Sequence, residues 1–102
     1  MFQNISQEQY LQMIEEQDVV AIDVRTAPEY NEFQLPKSLV GYDWNSGEFY
    51  DKVEELDKSK KLIFICRSGN RSMQACLFLQ SQGFDNVYNL KGGMMNWAGT
   101  SE

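Results

Sequence analysis

The chain has 102 residues, of which 42% are hydrophobic and 24% charged, with a formal net charge of −6. This length and composition predict one globular domain over 1–102, with a core that needs no disulfide or metal to fold. The negative charge argues against binding of nucleic acid or an anionic membrane, and no apolar stretch approaches bilayer-spanning length.

The first half of the chain alternates short apolar runs with helical patterns. Ser6 and Gln9 have the spacing of a capping box and predict a helix start, with a short strand before it. The β-branched run 19–24 predicts a strand buried on both faces, which is typical of parallel sheets. Beyond it, the sequence predicts a short helix over 27–33 and a short strand over 38–41.

The second half continues this alternation. The apolar run 62–65 predicts another buried strand, and 72–82 predicts a helix that is packed on much of its surface and stops at Gly83. The other predicted elements are a helix over 48–56, a strand over 86–90, a turn at Gly92-Gly93 and a final short helix from 94. Strands alternating with helices predict an α/β fold, a parallel sheet with helices on both faces.

The segment from Cys66 to Ser72 lies where a buried strand ends and a helix begins. Backbone N–H groups of such a loop converge, and the helix adds the positive end of its dipole, so the loop binds anions and favours a thiolate. The chain has no histidine, so loop, dipole and arginines must activate the thiol. We predict Cys66 as the catalytic nucleophile. The predicted substrate-binding residues are Arg67, Ser68, Gly69, Asn70, Arg71 and Ser72.

Two interpretations stay open for several of these loop residues. Arg67 and Arg71 either attract an anionic substrate and stabilise an anionic sulfur, or form surface salt bridges with acidic residues. Ser72 either caps the helix or contacts substrate. Cys76 lies inside the apolar helix, where a small buried residue is the better interpretation than a thiol that resolves Cys66.

Charged residues also surround the end of the first buried strand. Arg25 and Glu29 have helical i,i+4 spacing, which predicts an ion pair between them. Asp23 has the alternative of capping a turn near the Cys66 loop. The sequence shows neither the cysteine and histidine spacing nor the acidic loop of a metal site, so no metal or cofactor is expected.

Taken together, these segments resemble the single-domain rhodaneses, a family of sulfurtransferases. The resemblance covers nearly the whole chain. It rests on Ile22-Asp23-Val24-Arg25-Thr26 with Glu29-Tyr30, on Leu62 to Ser72, and on Gly83-Phe84, Val87, Leu90, Gly92-Gly93 and Trp97. It implies the rhodanese fold, with a central, mostly parallel five-stranded sheet. One departure is Phe33-Gln34-Leu35, where the family usually has Gly-His-Ile, and this leaves the geometry of that loop open.

The resemblance also implies a mechanism in which Cys66 takes a sulfur atom from thiosulfate or a persulfide donor and passes it to cyanide or a thiol acceptor. It implies a small-molecule donor and acceptor, with a protein thiol as a further candidate partner. Because the loop contains arginines, the dianion thiosulfate is the better laboratory donor. We expect a cytoplasmic monomer with free thiols, since the chain has two cysteines and no export signal.

Two other functions remain as alternatives. A persulfide carrier or interaction domain would contact its partner through exposed aromatic residues in 42–44 and 49–50, although core packing is the better interpretation for most of them. A phosphatase or arsenate reductase of the same fold would carry five residues between the cysteine and the arginine. Four residues separate Cys66 from Arg71, which favours a single sulfur over a tetrahedral oxyanion.

Overall fold

The computed structural model describes residues 2–97, which form one sheet flanked by helices. The strands are β1 (Gln3–Ile5), β2 (Val19–Asp23), β3 (Ser38–Leu39), β4 (Lys61–Ile65) and β5 (Val87–Leu90). The α-helices are α1 (Gln7–Met13), α2 (Ala27–Glu32), α3 (Glu48–Lys52) and α4 (Asn70–Ser81). Short 3₁₀ helices follow at Val53–Glu55 and Gly93–Asn96.

All five strands are parallel, in the order β1-β5-β4-β2-β3. From β2 the chain moves outward to β3, whereas from β4 it moves outward in the opposite direction to β5. The strand order therefore reverses between β2 and β4. A crevice forms at such a reversal, beyond the carboxyl ends of the two strands, and this is where sheets of this kind bind ligands.

The core lies on both faces of the sheet, as expected because the central strands β2 and β4 are apolar at all but one position each. In β4, Leu62 and Phe64 face a cluster that includes Phe49 and residues of α4. The alternate residues, Ile63 and Ile65, face a second cluster that includes Tyr10 and Ile14. Successive side chains of a strand point to opposite faces, so one continuous apolar run supplies both clusters and gives three layers.

The predicted elements are confirmed with small changes of boundary. Ser6 and Gln9 form the predicted capping box. The helix predicted over 48–56 is an α-helix for five residues and then continues as a 3₁₀ helix. Gly83 has a φ of +89° and follows α4 as predicted.

Two predictions need qualification. The helix predicted over 72–82 buries less of its surface than expected, because Leu77 is 52% exposed and the buried positions lie on one side. The domain predicted over 1–102 includes Met1 and 98–102, which lie outside the described residues. Within 2–97, no helix is both long and apolar enough to cross a membrane.

Candidate active site

The Cys66 loop lies at the centre of the sheet, because it follows β4, which pairs with both β2 and β5. Gly69 has a φ of +94° and is the N-cap residue of α4. This left-handed conformation turns the chain sharply from strand into helix, and glycine adopts it without steric cost. The N-terminus of α4, a helix of twelve residues, therefore faces the cysteine side chain.

The sulfur of Cys66 is surrounded by hydrogen-bond donors. The backbone N–H of Gly69 lies 3.0 Å from Sγ, and the N–H of Ser72 lies 3.4 Å from it. The Ser72 hydroxyl is 3.3 Å away. Cys66 is fully buried, so these groups replace water as its solvation. Donors held in place around a sulfur stabilise it most when it carries a negative charge.

The 3₁₀ helix at Gly93–Asn96 packs against the loop and is hydrogen-bonded to its backbone. The N–H of Met94 donates to the Cys66 carbonyl and the N–H of Met95 to the Arg67 carbonyl, each at 2.9 Å. With both carbonyls turned away, the later N–H groups of the loop point at the sulfur. The sequence predicted a turn at Gly92-Gly93 but not its contact with the loop, which joins residues nearly thirty positions apart.

Arg71 forms the salt bridge that was one of its two predicted interpretations. Its guanidinium nitrogens lie 3.2 and 3.3 Å from the two carboxylate oxygens of Glu29. The hydrogen bond from Arg71 lowers the pKa of Glu29 from 4.5 to about 2. The positive charge of Arg71 is also close enough to interact with Cys66. Arg71 therefore joins α2 to the loop and adds positive charge beside the sulfur.

The ion pair predicted between Arg25 and Glu29 is wrong. Arg25 instead forms a buried pair with Asp23, with nitrogen–oxygen distances of 2.8 to 3.0 Å. Thr26 is the N-cap of α2 and forms a capping box with Glu29, so Arg25 lies outside the helix and the i,i+4 geometry does not apply. The Thr-x-x-Glu spacing was a usable signal of that start. Asp23 also accepts the backbone N–H of Arg25, so it does cap a turn.

A cavity of about 590 Å³ opens beside the loop and beside α2. It is lined by Arg25, Pro28, Glu29, Glu32, Phe33, Arg67, Met94 and Met95. Arg67, one of the predicted binding residues, is exposed there. The lining combines both signs of charge with apolar side chains, so it can hold a small molecule that has a polar and an apolar part.

The other predicted site residues divide by position. Ser68 and Asn70 are exposed on the outer side of the loop, away from the sulfur's hydrogen bonds. Ser72 is buried inside α4 and contacts the sulfur, so it does not cap the helix. Its hydroxyl also donates to Asn89 of β5, a residue that no sequence motif singled out. Gln34, at the position of the family's usual histidine, is exposed between α2 and β3.

The second cysteine is a core residue, and the aromatic residues are divided. Burial raises the pKa of the Cys76 thiol to about 12, and both cysteines are unpaired. Among the aromatic residues named as partner contacts, Phe49 is fully buried, whereas Tyr50 is 46% exposed. Within 2–97, no group of three or more acidic, cysteine or histidine side chains is placed to hold a metal ion.

The family model for the rhodanese-like domain matches residues 6–100, so the chain belongs to the rhodanese-like domain family. YtwF of Bacillus subtilis, a sulfurtransferase candidate by name, is 41% identical over 85% of this chain and 81% of its own length. The thiosulfate sulfurtransferase GlpE of Pseudomonas savastanoi is 33% identical over 97% of this chain and 90% of its own.

Longer proteins also contain a similar segment. A tRNA uridine(34) hydroxylase of Pelagibacter ubique is 33% identical over 92% of this chain, but the match covers only 31% of that protein. Among solved structures, a rhodanese-related protein of Thermoplasma volcanium superposes with a TM-score of 0.80 at 27% identity, covering 94% of this chain and 90% of that one. These relatives confirm the predicted family and fold, and place the chain in a sulfurtransferase family.

Proposed function

We propose that the protein is a sulfurtransferase that carries sulfane sulfur on Cys66, from thiosulfate or a persulfide donor to a thiol or cyanide. The observation that carries this proposal is the environment of Sγ, which has two backbone N–H groups within 3.4 Å at the N-terminus of α4. An anionic sulfur gains from these donors and from the helix dipole without the help of a histidine.

In the first half-reaction, the Cys66 thiolate attacks the outer sulfur of thiosulfate. The new bond joins Sγ to that sulfur, the bond to the sulfonate sulfur breaks, and sulfite leaves with the electron pair. In the second half-reaction, cyanide or a thiolate attacks the outer sulfur, and Cys66 departs as the thiolate. The enzyme thus alternates between a free and a persulfide form, which gives ping-pong kinetics.

The surrounding residues have distinct roles in this proposal. The loop N–H groups stabilise the thiolate and the persulfide, and Arg71, held by Glu29, adds positive charge close by. Arg67 in the cavity attracts an anionic donor. Because Cys66 has no exposed surface, a donor reaches Sγ only when side chains around the loop move. Ser68 and Asn70 are exposed, and we assign them to the rim that the substrate passes.

The test is the intact mass of the purified protein after incubation with thiosulfate or with a low-molecular-weight thiol persulfide, without reductant. We expect a gain of one sulfur atom that cyanide removes as thiocyanate. Cys66→Ala should abolish the gain, whereas Cys76→Ala, the matched control at the other cysteine, should retain it. No gain with either donor would refute the proposal.

The acceptor step of this experiment and a separate phosphatase assay distinguish the alternatives. A persulfide that forms stoichiometrically but passes to neither cyanide nor small thiols would indicate a carrier that serves one protein partner. Hydrolysis of an aryl phosphate that disappears in Cys66→Ser would indicate the phosphatase instead.

A further inference from the structure

A chain of neutral polar side chains runs from the buried sulfur to the edge of the sheet. The Ser72 hydroxyl lies 3.3 Å from Sγ of Cys66 and donates to Oδ1 of Asn89. The side-chain nitrogen of Asn89 donates to Oδ1 of Asn4 at 2.9 Å. Asn4 and Asn89 are register partners on the adjacent strands β1 and β5, and Asn4 is exposed. The sulfur therefore connects to the surface through three side chains.

The direction of this chain follows from Asn89, whose side-chain oxygen faces Ser72 and whose side-chain nitrogen faces Asn4. A serine hydroxyl has one hydrogen, so it cannot donate to Asn89 and to the sulfur at the same time. In the observed direction, the hydrogen of the Ser72 hydroxyl points to Oδ1 of Asn89, and a lone pair of the same hydroxyl faces Cys66. A neutral thiol satisfies this arrangement by donating its S–H to Ser72. A thiolate or a persulfide anion has no such hydrogen.

The opposite direction suits an anionic sulfur. If both carboxamides rotate by half a turn, Asn4 donates to Asn89, Asn89 donates to Ser72, and the Ser72 hydrogen turns to Cys66. The sulfur then accepts three hydrogen bonds, from the hydroxyl and the backbone N–H of Ser72 and from the backbone N–H of Gly69. Carboxamides have a donor and an acceptor end, so every partner remains satisfied in both directions.

We propose that Asn89 and Asn4 are positioning residues that set whether the Ser72 hydroxyl accepts from a neutral Cys66 or donates to an anionic one. The proposal deepens the proposed function and rests on the role of Cys66 in it. Reversal of the chain would supply a third donor to the anionic sulfur at the steps where it carries charge. Asn4, being exposed, can turn without repacking the core.

Charged groups also face the sulfur, and the test must separate their effect. Arg71 of α4, with Glu29 of α2 across from it, is close enough to Cys66 to interact with it. Arg67 adjoins it in the loop, and Asp23 of β2 is neutralised by its own arginine partner. By contrast, the hydrogen-bond partner of the Ser72 side chain on β5, Asn89, is neutral, and so is Asn4 of β1, the partner of Asn89.

The informative variant is Asn4→Asp, because a carboxylate only accepts. Asn89 must then keep donating to position 4, so its oxygen keeps the Ser72 hydrogen and the sulfur loses its third donor. The matched control is Gln3→Glu, the same change at the neighbouring exposed residue of β1, whose side chain points to the other side of the sheet. Both substitutions are at exposed positions, and thermal unfolding checks that each variant is folded.

The readout is the rate of Cys66 alkylation by iodoacetamide as a function of pH, measured in the Cys76→Ala background so that one thiol reacts. We expect Asn4→Asp to move the midpoint of this profile up by about one pH unit, the equivalent of one hydrogen bond. Gln3→Glu should move it much less. In a Ser72→Ala background, Asn4→Asp should give no further shift, because the connection to the sulfur has been removed.

Equal shifts from Asn4→Asp and Gln3→Glu would overturn the proposal, since charge alone would then account for both. So would a shift by Asn4→Asp that persists without the Ser72 hydroxyl. Alkylation needs no sulfur donor, so this experiment stands apart from the mass test of sulfur transfer. If the protein forms no persulfide but Asn4→Asp shifts the profile only in the presence of the Ser72 hydroxyl, the proposed function is refuted and the positioning role of Asn89 and Asn4 is retained.

Discussion

Replacing Gly93 with alanine should disable the Cys66 loop without touching the sulfur. A Cβ at position 93 would lie 2.3 Å from the Cys66 carbonyl oxygen and 2.7 Å from that of Arg67, whereas ordinary contacts begin at 3.4 Å. The obstacle is backbone on both sides, so the loop and the 3₁₀ helix must separate by about 1 Å, following the clash distances. The hydrogen bonds that Met94 and Met95 donate to these two carbonyls would then be lost.

The expected loss of stability follows from these contacts. Two backbone hydrogen bonds contribute about 1 kcal/mol each. A left-handed conformation, here a φ of +56°, costs about 1–2 kcal/mol for alanine. We therefore expect Gly93→Ala to lower the free energy of unfolding by about 3–4 kcal/mol. Displacing the N–H groups by about 1 Å should slow persulfide formation at Cys66 by at least tenfold.

Gly47→Ala is the matched control. Gly47 also has a left-handed φ, +87°, but nothing lies within 4 Å of its Cβ position. Gly47→Ala should lower the free energy of unfolding only by the cost of the left-handed conformation, about 1–2 kcal/mol, and should form the persulfide at the normal rate. Stability is measured by denaturant titration and persulfide formation by intact mass against time. If Gly93→Ala were no less stable than Gly47→Ala and gained sulfur equally fast, the clamping role of the 3₁₀ helix would be refuted.

Three further predictions concern titratable groups. Glu29→Gln should lower the free energy of unfolding by about 1 kcal/mol at pH 7, the value of a partly solvent-screened pair. The pKa of Glu29 is about 2 in the folded protein, and its ordinary value is 4.5. The difference in stability between the two proteins should therefore be complete above pH 4.5 and be lost as the pH falls through 2. Denaturant titrations that give the same difference at every pH would contradict this. Tyr10→Phe removes the 2.7 Å hydrogen bond to the Pro36 carbonyl and should lower the free energy of unfolding by about 1 kcal/mol. The loss should be the same at pH 6 and pH 9, because burial holds the pKa of Tyr10 well above its ordinary value. A smaller loss at pH 9 would argue against a protonated hydroxyl. In Cys66→Ala protein at pH 8, Cys76 should resist iodoacetamide until denaturant is added, because its pKa is about 12; mass spectrometry showing modification of the folded protein would contradict this.

The contrast between Arg25 and Arg71 shows where prediction from sequence ended. Arg25 has Asp23 and Glu29 close by in the chain, whereas the bond from Arg71 to Glu29 joins residues 42 positions apart. The spacing of Arg25 and Glu29 suggested a pair only on the assumption that both lie in one helix. The helix begins after Arg25, so Asp23 pairs with it instead. An ion pair is decided by where the backbone places both partners, and sequence spacing gives that only inside a continuous element.

The local features of this protein could be predicted from its sequence: the strands and helices, the capping box at Ser6 and the turn that places Cys66 between β4 and α4. These depend on residues a few positions apart, whose propensities and hydrogen bonds are local. Three features could be seen only in the folded protein: the strand order, the contact between Gly93 and the Cys66 loop, and the hydrogen bond between Asn4 and Asn89, which are 85 positions apart. Those features join residues far apart in the chain, so they depend on how the strands and helices pack, and the polar groups that this packing buries find partners wherever in the chain these lie.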